Sequence, residues 1–198
     1  MKRYVSTSLV VVVVIALVVI VGAGIAVTAT DLSPTGLRVN GHVTSQKDIN
    51  DDLDSIANSG QLDPSVQGSE GSVTSAVSSS WLTRLVQTRV VLGELARRGI
   101  KLTDAQRARL EKGAGNQLDG LSRSVKRTLL DYNLGVQKLQ DKLGQSGMSQ
   151  AISRGLRRAS VTVDPRYGGW NGQRLMVCPS TGCPPPSSSS SSSSSSGG

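Results

Sequence analysis

The sequence predicts a mainly α-helical protein: an N-terminal transmembrane helix, then a helical domain whose two ends are joined by a small two-stranded β element. A long apolar run follows the first basic residues, and apolar residues recur at helical spacing through most of the chain. Only segments 37–44 and 160–171 have β-like composition. Because strand backbone groups need partners, we predict that residues 38–43 and 160–163 form neighbouring strands.

The N-terminal segment predicts a membrane anchor. Lys2 and Arg3 precede an uncharged run over residues 9–27, and a helix of about 20 apolar residues spans a bilayer core. Basic residues keep their end of such a helix cytoplasmic. We therefore expect a single-pass protein of the cell membrane, held through residues 9–29, with an extracytoplasmic domain. The alternative is a signal peptide cleaved after Ala29, which would give a secreted protein.

Four regions follow from composition. They are a membrane anchor or signal segment (1–29), a linker (30–36), a helical domain (37–171) and a tail rich in Cys, Pro and Ser (172–198) that we expect to be disordered. The 198 residues leave room for one modest domain. Aromatic residues make up only 3% and Phe is absent, so the core must be built mainly from aliphatic side chains.

Helix start and stop patterns divide the domain. Ser45 can cap a helix that carries Asp48 in its first turn, and Gly60 suits its C-terminal stop. We therefore predict a first helix over about 46–58. Further helices are predicted over about 73–98, 104–113 and 149–159.

The clearest periodicity is an apolar stripe with steps of three or four residues, which is typical of one face of a long helix. We expect it to pack on the 73–98 helix rather than form a coiled coil with another chain, and the oligomeric state stays open. The pattern breaks at Ser146-Gly147. The stripe consists of Leu118, Leu121, Val125, Leu129, Tyr132, Val136, Leu139 and Leu143.

The net charge of +8 is unevenly distributed. Residues 30–80 carry two basic and seven acidic side chains, whereas residues 81–198 carry eighteen basic and seven acidic ones. A basic balance suggests nucleic acid or anionic lipid as a partner. We predict no nucleic-acid binding, because the domain is expected outside the cytoplasm and its basic residues lack interleaved aromatics for base stacking. Solvated helix faces are the simpler interpretation.

No catalytic, cofactor or metal site is predicted. His42 is the sole histidine and lies beside a turn, where a solvated surface role is expected. Acidic residues cluster in the first helix, but they point in several directions and lack the dense oxygen cage of a calcium loop. These acidic residues are Asp48, Asp51, Asp52 and Asp54.

Cys178 and Cys183 are the only two cysteines. An oxidising exterior favours a local disulfide between them. Free or intermolecular thiols are the alternatives, and a zinc site would need further ligands that the neighbouring sequence does not offer.

The order of the motifs resembles that of the SurA-like extracytoplasmic chaperones and peptidyl-prolyl isomerases, in particular their Gram-positive relatives of actinobacterial type. The residues that carry the resemblance are 39–44 (VNGHVT), the acidic and amphipathic helices that follow, and 161–170 (VTVDPRYGGW). The resemblance covers roughly residues 37–171. That family usually carries a parvulin-type isomerase domain before the closing strand. Here fewer than about twenty residues separate the last long helical pattern from Val161, so we expect no isomerase domain.

This resemblance implies a chaperone-like domain that binds unfolded or extended segments of exported proteins without isomerase activity. An accessory or structural subunit that docks on another cell-envelope protein is the alternative. An enzyme is the third class, and it is disfavoured because no catalytic residues are found. The expected partners are therefore polypeptides and, through residues 9–29, the membrane.

Large side chains are the best candidates for contact with a client or for clamping the ends of the domain, because aromatic residues bury large areas. We expect Tyr167 and Trp170 to clamp the C-terminal segment onto the helices, with client contact as the alternative. The full set of candidates is Trp81, Leu85, Tyr132, Tyr167 and Trp170.

Overall fold

The computed structural model describes residues 34–60 and 73–183, which form a mainly helical fold with small antiparallel β elements. The chain starts with strands β1 (Thr35–Val39) and β2 (His42–Ser45), which pair as a hairpin. Asn40 and Gly41 have φ values of 49° and 85°, as a two-residue hairpin turn requires. The predicted turn is confirmed.

Strand β3 (Val161–Val163) pairs antiparallel with β1, so that Leu37 lies opposite Val163. The predicted pairing of the two ends of the domain is confirmed. The sheet has three strands in the order β2-β1-β3, not two, because both flanks of the Asn40-Gly41 turn are extended. Leu37 and Val39 are each 1% exposed, and they face the helices.

Helix α1 (Gln46–Asn58) has the predicted bounds. The Ser45 hydroxyl accepts from the backbone N–H of Asp48, whose carboxylate accepts from the backbone N–H of Ser45. This reciprocal capping box fixes the start of the helix. Ile49 and Leu53 on its inner face are buried in the main core.

Helices α2 (Ser75–Arg97) and α4 (Arg123–Arg158) form the body of the domain, and the shorter α3 (Asp104–Ala114) connects them. A Cβ added to Gly135 of α4 would overlap the side chain of Val91 of α2, so the glycine lets these helices approach closely. A capping box between Thr103 and Gln106 fixes the start of α3.

The predicted stripe is only partly a helix face. Leu118 lies in a 3₁₀ turn (Gly115–Leu118), and α4 begins later because Ser122 caps it by accepting from the N–H of Val125. The break lies at Gly144, with φ of 72°, and not at Ser146-Gly147. A second helical segment follows this kink directly and runs to Arg158, so the helix predicted over 149–159 is present but begins earlier than predicted.

The C-terminal segment continues beyond the predicted domain end. A 3₁₀ turn (Pro165–Tyr167) leads to β4 (Gly169–Asn171), which pairs with β5 (Met176–Cys178). Val177 is fully buried, and its N–H donates to Oγ1 of Thr83 at 2.8 Å. The boundary predicted at residue 172 is corrected to at least residue 183, because β5 finds its partners in β4 and α2.

Cys178, the last residue of β5, forms a disulfide with Cys183. The serine-rich residues 184–198 lie outside the described part of the chain, as do the predicted anchor (9–29) and residues 61–72. In the parts that are described, 34–60 and 73–183, no helix combines the length and the apolar character needed to cross a bilayer.

Candidate functional site

Asp164 sits at the junction between the two ends of the domain. Its N–H donates to the carbonyl oxygen of Gly36 at 2.8 Å, and its Oδ1 accepts from the N–H of Arg166 at 2.9 Å. Its Oδ2 accepts from the side-chain amide of Gln46. The backbone N–H of Arg166, followed by the charge of that residue and the amide of Gln46, holds the pKa of Asp164 below its usual value. The closing motif thereby ties β3 to β1 and α1.

Tyr167 extends this junction into the core. Its ring is buried, and its hydroxyl donates to Oδ1 of Asn50 on α1 at 2.7 Å. Burial raises the pKa of the phenol. The following Gly168 has φ of 112° and lies against the backbone of Cys178, where no Cβ would fit. The chain can therefore turn sharply into β4.

The five candidate contact residues occupy different environments. Trp81 and Leu85 of α2 are buried in the main core beside Tyr167, whereas Trp170 is half-buried opposite Val177. Tyr132 is also half-buried and belongs to a second apolar cluster between α2 and α4. The structure brings Trp81, Leu85, Tyr167 and Trp170 together in one core and leaves Tyr132 apart.

Tyr132 lies under a cation. The guanidinium carbon of Arg84 is 3.9 Å from the centroid of the Tyr132 ring, a distance that gives a favourable cation–π contact. Of the five candidates, only Tyr132 and Trp170 keep more than a marginal surface open to solvent.

Asp52 of α1 is buried, with Ser124 of α4 and Trp81 of α2 near its carboxylate. Loss of solvent raises its pKa to about 6, partly offset by the Ser124 hydroxyl and the Trp81 indole. Nε1 of Trp81 is buried and has no partner at hydrogen-bonding distance in the described chain. Asp48, by contrast, caps α1, and Asp51 pairs with Lys47.

No three metal-binding side chains come together in residues 34–60 and 73–183. His42 is exposed on β2 next to the hairpin turn, away from the buried Asp52. The four aspartates of α1 therefore do not form a common site. They are Asp48, Asp51, Asp52 and Asp54.

The backbone of the hairpin defines one open edge. The N–H of Asn40 donates to the carbonyl oxygen of Ser160 at 2.9 Å, so backbone groups at this position face β3. Those of the preceding Val39 must then face β2, where its partner is His42. His42, the partner of Val39, likewise turns its backbone groups toward β1. Because the directions of the backbone N–H and C=O groups alternate along a strand, the next residue, Val43, points its N–H and C=O away from β1.

Val43 also exposes its side chain. Nearly half of it is accessible (48%), which sets it apart among the large apolar residues that the structure describes. It lies opposite Arg38, on the solvent face of the sheet. No strand of the described chain pairs with this outer edge of β2. The sequence placed Val43 in a turn motif but gave no sign of its edge position, which depends on the strand order.

No protein-family model, curated protein or solved structure matches the chain. Function is therefore inferred from the edge of β2, the junction that supports it and the sequence. The edge offers a donor, an acceptor and an apolar side chain at one residue, which suits the binding of an extended backbone.

Proposed function

We propose that the protein is a membrane-anchored, extracytoplasmic, SurA-like chaperone domain that binds unfolded or extended segments of exported proteins and does not catalyse their isomerisation. The observation that carries this proposal is the unpaired outer edge of β2, with Val43 at its centre. An extended peptide adds to such an edge through main-chain hydrogen bonds, and side-chain contacts contribute selectivity.

The chemistry of the edge suits many clients. The N–H and C=O of Val43 would bind the backbone of a client, which is the same in every sequence. The exposed Val43 side chain favours an apolar residue on the neighbouring position. Binding would therefore require an extended apolar segment rather than one particular sequence.

The junction around Asp164 and Tyr167 stabilises the sheet on the side opposite to the open edge of β2. β1 is held by β3 on its other side, and Asp164 and Tyr167 fasten the closing segment to α1. A fixed edge loses little conformational entropy when a peptide adds to it. The motif that resembles the SurA-like family is the one that makes these contacts, which supports the same proposal.

Val43→Pro tests the edge directly. Proline removes the outward N–H, yet it breaks no hydrogen bond of the hairpin, because that N–H points away from β1. Val43→Thr is the matched control, since it keeps the N–H and a β-branched shape. The full chain and both variants are assayed for suppressing the aggregation of several unrelated unfolded proteins.

We expect the wild type and Val43→Thr to suppress aggregation and Val43→Pro to lose most of that activity while melting at a similar temperature. Equal activity of the proline variant would rule out strand addition at β2. Catalysis in a proline-limited refolding assay would contradict the absence of isomerase activity.

The alternative of an accessory subunit has one observation in its favour. The core residues Trp81 and Leu85 are buried, and Val43 is the large apolar side chain that the described residues expose, whereas binding sites often present a broader apolar patch. One strand from a dedicated envelope protein could fill the edge of β2 instead. This alternative would be established if a single stoichiometric partner co-purified with the wild type but not with Val43→Pro, and if the wild type did not suppress the aggregation of unrelated clients.

A further inference from the structure

Four arginines from two helices surround one open cleft. Arg97 and Arg98 stand at the end of α2, and Arg154 and Arg158 lie one turn apart on the last part of α4. The cleft consists of two cavities of about 400 and 370 Å³ that share Arg97, Arg158 and Gly155. All four arginines line the first of these cavities, and two of them also line the second.

One carboxylate holds two of these arginines. Glu94 is only 6% exposed, and its two oxygens pair with Arg97 and Arg98. Nη1 of Arg98 also donates to the Glu94 carbonyl oxygen at 2.8 Å. These contacts orient both guanidinium groups at the rim of the cleft.

The other two arginines have no carboxylate partner in the described chain. Nε of Arg154 donates only to the carbonyl oxygen of Gln150, at 3.3 Å. With four guanidinium groups and the single carboxylate of Glu94, the cleft carries three positive charges in excess.

The negative end of a helix dipole attracts cations, which explains an arginine at each helix end. It does not explain why four of them border one cavity, because like charges one turn apart destabilise a helix by roughly 0.2–0.5 kcal/mol. A comparable cavity at the base of α3 is different: there Asp104 and Asp131 pair with Arg107, and Glu111 with Lys126. Arg123 and Arg127 also line that cavity, so it keeps a positive surplus too, but a smaller one than the cleft at the ends of α2 and α4.

We propose that this cleft binds a phosphate group. Guanidinium groups donate in a planar fork that matches phosphate oxygens, and a group with several oxygens can meet donors from both helices at once. The phosphate can be that of a free anion or that of a phospholipid headgroup. Gly93 and Gly155 keep the floor open, since neither brings a side chain into the cavity.

Calorimetric titration of the full chain in phosphatidylcholine nanodiscs with inorganic phosphate, at constant ionic strength, tests the proposal. Arg154→Gln with Arg158→Gln should weaken binding at least tenfold. The matched control, Lys142→Gln with Arg157→Gln, removes the same charge from exposed positions of α4 outside the cleft and should bind as the wild type does. No binding by the wild type, or equal losses in both variants, would overturn the proposal.

A second pair of variants does not depend on removing arginines. A Cβ at Gly93 meets no atom within 4 Å, so Gly93→Glu can add a carboxylate to the lining that Gly93 shares with Arg97 and Arg158, and Gly93→Ala makes the same backbone change alone. We expect glutamate to abolish phosphate binding and alanine to preserve it. Equal binding by the two variants would contradict the cleft as the site.

Nanodiscs that contain phosphatidylglycerol separate the two sources of phosphate. If the lipid headgroup occupies the cleft, added phosphate should bind measurably more weakly in these discs than in phosphatidylcholine discs. Equal phosphate affinity in both discs would assign the cleft to a free phosphate. The two control variants, Gly93→Ala and the double variant of Lys142 and Arg157, should behave as the wild type does. If they too bind phosphate more weakly in phosphatidylglycerol discs than in phosphatidylcholine discs, the result supports the lipid headgroup as the source.

Discussion

The hydroxyl of Tyr167 donates a 2.7 Å hydrogen bond to Oδ1 of Asn50, which lies 117 residues earlier in the chain. Both groups are at least partly shielded from water, which makes an unpaired partner costly. This contact fastens the segment after β3 to α1, next to the bonds that Asp164 makes with Gln46 and Gly36.

Tyr167→Phe should therefore lower the free energy of unfolding by about 1 kcal/mol, since it keeps the buried ring and removes only the hydroxyl. Asn50→Ala should cost a similar amount. Because both variants remove the same bond, the double variant should be little worse than either one. Urea unfolding of the four proteins measures this cycle, and strictly additive losses would show that the bond contributes nothing.

Asp52→Asn should stabilise the protein increasingly as the pH rises. The folded-state pKa of about 6 exceeds the ordinary 3.8, so the folded state binds more protons between these values and loses stability as pH increases through them. Asparagine removes that loss, and the gain relative to wild type should grow between pH 4 and 7 by an amount on the order of 2 kcal/mol.

Urea unfolding at several pH values measures the Asp52 effect. Asp54→Asn, on the exposed part of the same helix, is the matched control and should not reproduce the gain. A difference between Asp52→Asn and wild type that stays constant from pH 4 to 7 would mean that Asp52 is not desolvated in solution.

Gly135→Ala should destabilise the protein by about 1–3 kcal/mol, although alanine is the better helix former, because the new methyl group would overlap Val91. Gly93→Ala is the comparison, since its Cβ meets open space, and it should stabilise by about 0.5–1 kcal/mol. Thermal unfolding of both variants gives the two signs. A stabilising Gly135→Ala would show that α2 and α4 lie further apart than described.

Cys183→Ser should lower the free energy of unfolding by about 2 kcal/mol, the value expected when a disulfide that closes so short a loop is lost. Reducing agent should bring the wild type down to the same stability while leaving the variant unchanged. Hydrogen exchange should also accelerate at Met176–Cys178, since β5 loses its covalent attachment. Unchanged exchange there would indicate that β5 is held by Val177 and Thr83 alone.

Local chemistry made several elements predictable. The start of α1 follows from Ser45 and Asp48 within a single turn, and the hairpin follows from Asn40-Gly41, whose positive φ values few other residues adopt. The pairing of β1 with β3 also followed from composition, because the described chain has few segments with β character.

Other features depend on tertiary partners that no local pattern reveals. Strand β5 lies in a segment with turn-like composition, and it is ordered because Val177 is buried and bonds to Thr83 of α2. Leu130 and Leu134 are buried although they lie outside the predicted stripe, because α4 contacts α1, α2 and α3 on different sides.

The candidate sites, too, were predictable where they depend on local sequence and not where they depend on tertiary contacts. The motif around Val43 was visible in the sequence, but its outward backbone groups follow only from the strand order β2-β1-β3. Arg97 and Arg98 were recognisable as the end of a helix. Their meeting with Arg154 and Arg158 depends on how α4 returns along α2 after Gly144.

The union of β1 with β3 also sets an order of events during synthesis. The hairpin of β1 and β2 can form as soon as it is made, but Ser160, which bonds to Asn40, is made 120 residues later. At about 5–20 residues per second this delay is roughly 6–24 s. Throughout that time the second edge of β1 is open to incorrect strands, and completion of the sheet must await the last part of the domain.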